Sequence, residues 1–212
     1  MQGPALIETE IKTLWRISRR IEPSVSKGKL LPPVLFFTDP ERVFDPERAL
    51  RSLPRGAGIV FRHFGAPARL AQGRRLAMLA RRRGIRFFVG ADVALAIVLR
   101  SDGVHLTQRQ AARAGMVRIL RRRFLVTAAA HHLPAIRAAS RGGVDALVVS
   151  PVFPSRSRSA GHPIGVRRLA ALTRRTDRPV YALGGVNQRN VRLLLGSGVA
   201  GVAAVDALTP RT

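Results

Sequence analysis

Eight short apolar runs punctuate this chain, at 34–38, 58–62, 85–89, 104–106, 124–127, 146–150, 180–183 and 201–205. Each is continuous and rich in Val, Ile, Leu and Phe, the pattern of strands covered on both faces. Longer amphipathic segments lie between most of them, clearest over 67–83, 92–100, 133–141, 166–175 and 188–195. Two end in Arg83-Gly84 and Arg141-Gly142. There the arginine suits the negative end of a helix and the glycine its left-handed cap. Strands alternating with helices belong to the α/β class, and eight such units predict a single (β/α)8 TIM barrel. A doubly wound open sheet is the alternative that shares the alternation.

The two ends refine this. Seven residues follow the eighth run, so the helix that ordinarily closes a barrel is expected to be missing or very short. The N-terminus carries Ile7, Ile11, Leu14, Trp15, Ile17 and Ile21 at helical spacing, and this extra helix is expected to cover the gap. The chain thus divides into an N-terminal helical extension (1–22), a connecting loop rich in Ser, Gly and Pro (23–33), the barrel (34–208) and a tail (209–212).

Cysteine is absent, which excludes disulfides, thiolate metal sites and cysteine nucleophiles. The longest apolar runs fall far short of the roughly 20 residues of a membrane span. Glu8 and Glu10 interrupt the N-terminal apolar stretch, so no signal peptide is read and a cytoplasmic protein with no membrane partner is expected. Basic residues outnumber acidic ones 37 to 12, a formal net charge of +25, and lysine occurs only at 12, 27 and 29, leaving 34 arginines. Clustered guanidinium groups bind polyanions, but a GC-rich genome also replaces surface lysine by arginine throughout. Aromatic residues are only 5%, so the stacking platforms of RNA-binding modules are missing and a nucleic-acid partner is not expected.

Reactive residues in such a barrel sit at the C-terminal ends of the strands. Those positions carry Thr38 and Asp39, Arg62 and His63, Asp92, Gln108, and the pair His131 and His132. After the sixth run comes Ser155-Arg156-Ser157-Arg158, and after the seventh Gly184-Gly185. The two glycines allow backbone amides to approach an oxyanion, although turns also need glycine. The serines and arginines offer hydroxyls and guanidiniums to the same ligand, or form a solvated loop. Together they point to a phosphorylated small molecule. Histidine titrates near neutrality, which makes the His131-His132 pair a candidate for proton transfer. His63 and His105 read as structural, and Asp92 as a helix cap. No metal site is convincing.

The order of motifs resembles the thiamine-phosphate synthase/TenI family of TIM barrels. The resemblance rests on SDGVHLTQ at 101–108, SPVFPSRSR at 150–158, PVYALGGV at 179–186 and GVAGVA at 198–203. It implies either coupling of hydroxymethylpyrimidine diphosphate to a thiazole phosphate or, in the TenI branch, isomerisation of the thiazole phosphate. The family's Gln-x-Arg-x-Lys is met by Val60, Phe61, Arg62, His63 and Phe64, which keeps the arginine. Its Asn-Asp pair, which contacts diphosphate and magnesium, falls on Gly90 and Ala91, and its second magnesium aspartate on Gln110. The Thr-x-Thr-Lys diphosphate loop is matched by Ser155 to Arg158, and the Ser-x-His by Ala129, Ala130 and His131. A phosphate-site serine aligns with Asp206, whose carboxylate repels a phosphate.

The resemblance therefore implies a diverged member without the magnesium ligands, whose substrate is a thiazole phosphate. His131 would be the proton shuttle, Arg62 and Gln108 would position substrate, and Ser155, Ser157, Arg158, Gly184 and Gly185 would hold phosphate. No cofactor is expected, with magnesium required only if the chain is a working synthase. A homo-oligomer is compatible with the apolar outer helix faces. A non-catalytic, RNA-associated barrel is the third possibility.

Overall fold

The computed structural model describes residues 4–21, 25–26, 28–41, 45–155, 157 and 161–205. Ten strands are described. The first two, β1 (Val25–Ser26) and β2 (Lys29–Leu30), form a small antiparallel hairpin inside the expected loop. The other eight are β3 (Val34–Phe37), β4 (Gly58–Phe61), β5 (Arg86–Gly90), β6 (Gly103–Leu106), β7 (Leu125–Ala129), β8 (Ala146–Val149), β9 (Val180–Ala182) and β10 (Gly201–Ala204). They pair in parallel in chain order, and β10 returns to β3, which closes the barrel. The fold is the (β/α)8 barrel, and the open sheet is excluded by that last pairing.

Among the described residues seven α-helices accompany them: α1 (Pro4–Ser18), α2 (Pro46–Arg51), α3 (Arg69–Arg83), α4 (Val93–Val98), α5 (Ala114–Leu120), α6 (Leu133–Gly142) and α7 (Gly165–Thr173). Because successive strand side chains point to opposite faces, each barrel strand feeds two cores. Leu35, Phe37, Val60, Phe88, Leu125, Val148, Tyr181 and Ala203 fill the interior. The alternate residues, such as Phe36, Ile59, Phe61, Phe87 and Val104, pack outward against the helices. The buried Tyr181 hydroxyl donates to the Pro32 carbonyl. The fully buried Asp145 accepts from the Val126 amide (2.7 Å) and the Ser26 hydroxyl (3.1 Å) and pairs with Arg118 (2.7 Å). That carboxylate fastens the hairpin to the N-terminal end of the barrel.

The extra helix α1 packs on β10, β3 and the 3-10 turn Val191–Leu194, burying Ile11, Leu14 and Ile17. It covers the two strands that a closing helix would otherwise cover. The expectation for the final helix falls on residues 206–212, outside the described residues, as does the side chain of Ile7. One expected helix is corrected: 188–195 holds only that 3-10 turn. The side-chain Nδ2 groups of Asn187 and Asn190 both donate to the Gly185 carbonyl (2.9 and 2.8 Å), which fixes a turn in place of a first helical turn. Gly196, in the left-handed region, ends the segment. No helix among the described residues is long and apolar enough to cross a membrane.

Candidate active site

A cavity of about 320 Å³ opens at the C-terminal end of the barrel. Its wall is built from the residues just after five strands. Arg62 follows β4, His131 β7, Ser150 and Pro151 β8, Leu183 to Val186 β9, and Ala204 and Val205 end β10. Ser155, Ser157 and Gly161 complete it.

Arg62 is held on three sides. Its Nε donates to the Thr38 carbonyl (2.8 Å), its amide to the Thr38 hydroxyl (2.9 Å), and its Nη2 pairs with Asp39 (3.3 Å). The guanidinium also lies 5.4 Å from the Phe37 ring centre, a cation–π contact. Thr38 and Asp39, which the sequence placed only at a strand end, are therefore what aims Arg62. Next to it His63 is buried, stacked 5.0 Å from Phe61 and 3.2 Å from the Thr38 hydroxyl. Burial lowers its pKa, with Asp39 raising it and the Arg62 and Arg69 charges lowering it again.

His131 Nδ1 lies 3.3 Å from both the amide and the hydroxyl of Ser150, which leaves Nε2 for a ligand. Burial lowers its pKa below the ordinary 6.5, the Ser150 contact pulls the other way, and the His132 charge lowers it further. The ring is neutral at physiological pH. Ser150 is a further site residue, and its position at the end of β8 was the signal available for it. Gln108 does not line the cavity. Its Oε1 accepts from the His131 amide (3.1 Å) and its Nε2 lies 3.3 Å from the His132 ring, so it holds the loop that carries both histidines. His132 is the N-cap of α6, accepting from the Ala135 amide at 3.3 Å.

The Gly184 and Gly185 backbones are left-handed, at φ +91° and +67°. A Cβ at Gly184 would stand 2.6 Å from Pro151 Cα, and one at Gly185 2.2 Å from the Pro154 carbonyl oxygen. Only glycine lets the two loops lie against each other. Their contact is bonded: the Val152 and Phe153 amides donate to the carbonyls of Leu183 and Gly184, each at 2.9 Å. No acceptor among the described residues takes the amides of Gly184, Gly185 or Val186. Of the serine–arginine loop, Ser155 and Ser157 line the cavity, while Arg156, Arg158 and Asp206 lie outside the described residues.

The region where the resemblance implies magnesium is built differently. The Gln110 amide donates to the Ala91 carbonyl (3.1 Å), and its Oε1 accepts from the amide and hydroxyl of Thr107. The one carboxylate there, Asp92, caps α4 through the Leu95 amide (2.9 Å) and pairs with Arg69 (2.8 Å). A hard divalent cation needs convergent oxygen donors, usually carboxylates. Among the described residues no group of three His, Asp or Glu side chains is placed to hold a metal ion, and a guanidinium already takes Asp92. These residues do not fit magnesium.

A model of the thiamine monophosphate synthase family (TMP-TENI) matches residues 38–208. A Geobacter sulfurreducens protein, provisionally assigned as thiamine-phosphate synthase, is 33% identical over 71% of this chain and 72% of its own length. The thiamine-phosphate synthase of Chloroflexus aurantiacus is 34% identical over 61% of this chain and 60% of its own. Among solved structures, thiamine phosphate pyrophosphorylase from Pyrococcus furiosus superposes with a TM-score of 0.70 at 27% identity, covering 82% of this chain and 86% of that one. An aldolase from Escherichia coli K12, at 10% identity and a TM-score of 0.60, shares the fold alone. The matched stretch runs from the end of the first barrel strand through the last, across every loop that lines the cavity. The chain belongs to the thiamine monophosphate synthase/TenI family.

Proposed function

We propose that this thiamine-biosynthesis protein binds a thiazole phosphate and isomerises it by proton transfer through His131, without a metal. The observation that carries the reading is the His131–Ser150 pair beside glycine amides that have no acceptor among the described residues. The phosphate would take the amides of Gly184, Gly185 and Val186 and the hydroxyls of Ser155 and Ser157, with Arg62 balancing its charge.

His131 has what a shuttle needs. Its neutral ring is available as a base near neutral pH, and its Nδ1 is anchored. With the neutral ring's proton on Nδ1 and turned to the Ser150 hydroxyl in place of the amide contact, the Nε2 lone pair takes a proton from a substrate carbon and the ring becomes an imidazolium. The same Nε2–H proton is then given back at a second carbon, which restores the neutral ring, while Nδ1–H stays on Ser150 throughout. The substrate is isomerised with no net gain or loss of atoms. Arg62 and the glycine amides keep the substrate in one orientation between the two transfers.

The names of the relatives favour a second reading, magnesium-dependent coupling of hydroxymethylpyrimidine diphosphate to thiazole phosphate. One set of assays separates them. Thiazole phosphate should raise the thermal midpoint, and coupling should yield no thiamine phosphate with or without magnesium. His131→Asn should lower isomerisation by about 10²–10⁴-fold, the usual worth of a general acid–base, while ligand protection persists. Magnesium-dependent thiamine phosphate formation would replace the first reading by the second.

A further inference from the structure

The opposite end of the barrel carries a second cavity, of about 330 Å³, lined by Arg55, Arg81, Arg86, Arg100 and Asp102. Arg55 lies in the turn before β4, Arg81 in the last turn of α3, and Arg86 begins β5. Arg100 follows α4, and Asp102 precedes β6. Asp102 is committed: one oxygen accepts from the Phe87 amide (2.9 Å) and the other pairs with Arg86 (3.5 Å). Arg55, Arg81 and Arg100 have no acceptor among the described residues.

Two simple roles for these arginines fail. They are not needed to cap the helix ends. The Ile85 and Ser101 amides close α3 and α4 onto the carbonyls of Ala80 and Ala96 (2.9 and 3.0 Å). Nor is Arg100 explained by backbone convenience. It occupies the left-handed position after its helix at φ +50°, where α3 and α6 have Gly84 and Gly143 at φ +65° and +83°. An L side chain is strained there and glycine is not. At the end of α4, which opens on this cavity, the left-handed position thus carries a guanidinium.

We infer that this cavity is a second anion site, remote from the active site, that takes a diphosphate group. Four guanidiniums against one carboxylate leave a net charge of about +3, which like-charge repulsion disfavours and a diphosphate neutralises. The concave space, lined by guanidiniums from four separate segments, suits adjacent phosphates of one small molecule, free diphosphate or the phosphate chain of a nucleotide, rather than an extended strand.

Titration calorimetry of the full chain with pyrophosphate, and with ADP, tests this. Arg100→Gly relieves the strained cap, so it should keep or raise the thermal midpoint. It should nevertheless weaken one pyrophosphate equivalent by about tenfold, the scale of one charge-assisted contact. Arg81→Gln should weaken the same equivalent while leaving any binding at the active site in place. Tighter binding of ADP than of pyrophosphate identifies a nucleotide, and equal binding the diphosphate group alone. Isotherms unchanged by both substitutions overturn the site. So does a 20-nucleotide RNA that binds more tightly than either and loses that binding in the same variants.

Discussion

His105 lies inside the barrel, its Nδ1 3.0 Å from the Thr127 hydroxyl and its ring edge-on to Phe37 at 4.9 Å. Burial, reinforced by the Arg62 and His131 charges, pushes its pKa down to about 3. The native ring is therefore neutral where an unfolded histidine, with a pKa near 6.5, takes a proton. Above about 6.5 the two states bind alike. As the pH falls from there toward 3 the unfolded chain gains a proton that the native state refuses, and stability is lost. His63 and His131, both lowered by burial, act in the same direction. Between pH 6.5 and pH 5, His105 alone should remove about 2 kcal/mol. Urea unfolding at pH 7.5 and 5.0 should show that loss in the wild type and about 2 kcal/mol less of it in His105→Gln. An identical loss in the variant would refute the assignment. The strand parity that points His105 inward is legible in the sequence, since Val104 and Leu106 are the outward apolar pair. What surrounds it is set by Phe37 and Thr127, distant in the chain, and is not.

The same division holds for whole elements. Every barrel strand lies within two residues of its apolar run, because a buried parallel strand must be continuously apolar. Helices with short apolar faces were harder to see. Neither α2, six residues capped by the Asp45 side chain, nor α5, which leaves Met116, Ile119 and Leu120 exposed, shows the stripe that marks a buried face. The site was legible where a residue type carries the chemistry, as with Arg62, His131 and the two glycines. It was not where a neighbour aims that residue, as Thr38, Asp39 and Ser150 do. For α1 the stripe was plain, and its function as the barrel's missing cover is testable by one side chain. Leu14 is fully buried against the β10–β3 side. Leu14→Ala should lower the unfolding free energy by about 3 kcal/mol, the range for a buried leucine, in a urea titration. A change within about 0.5 kcal/mol, the range of a surface substitution, would mean that α1 is only loosely docked.

At the scale of the whole molecule, charge decides solution behaviour. With 37 basic and 12 acidic residues, the cations exceed the carboxylates by 25. Several carboxylates are already shared or buried: Glu47 meets both Arg75 and Arg51, and Asp145 meets Arg118. Salt acts on both sides of this balance. It weakens exposed pairs such as Lys12–Glu8 and Arg75–Glu47, worth about 0–1 kcal/mol each. It also weakens the repulsion among the unpaired arginines, which opposes the compact state more than the expanded one. The screening length falls from about 10 Å at 0.1 M to about 3 Å at 1 M salt, below the spacing of most surface charges. Repulsion should dominate because the excess cations outnumber all possible pairs. Raising sodium chloride from about 0.05 to 0.5 M should stabilise the fold by about 1–2 kcal/mol, or roughly 3–6 °C in thermal midpoint at this chain length. Scanning calorimetry reads this directly. A midpoint that falls with salt would show instead that ion pairs, few as they are, outweigh the repulsion, and that the arginine surface is organised around its carboxylates.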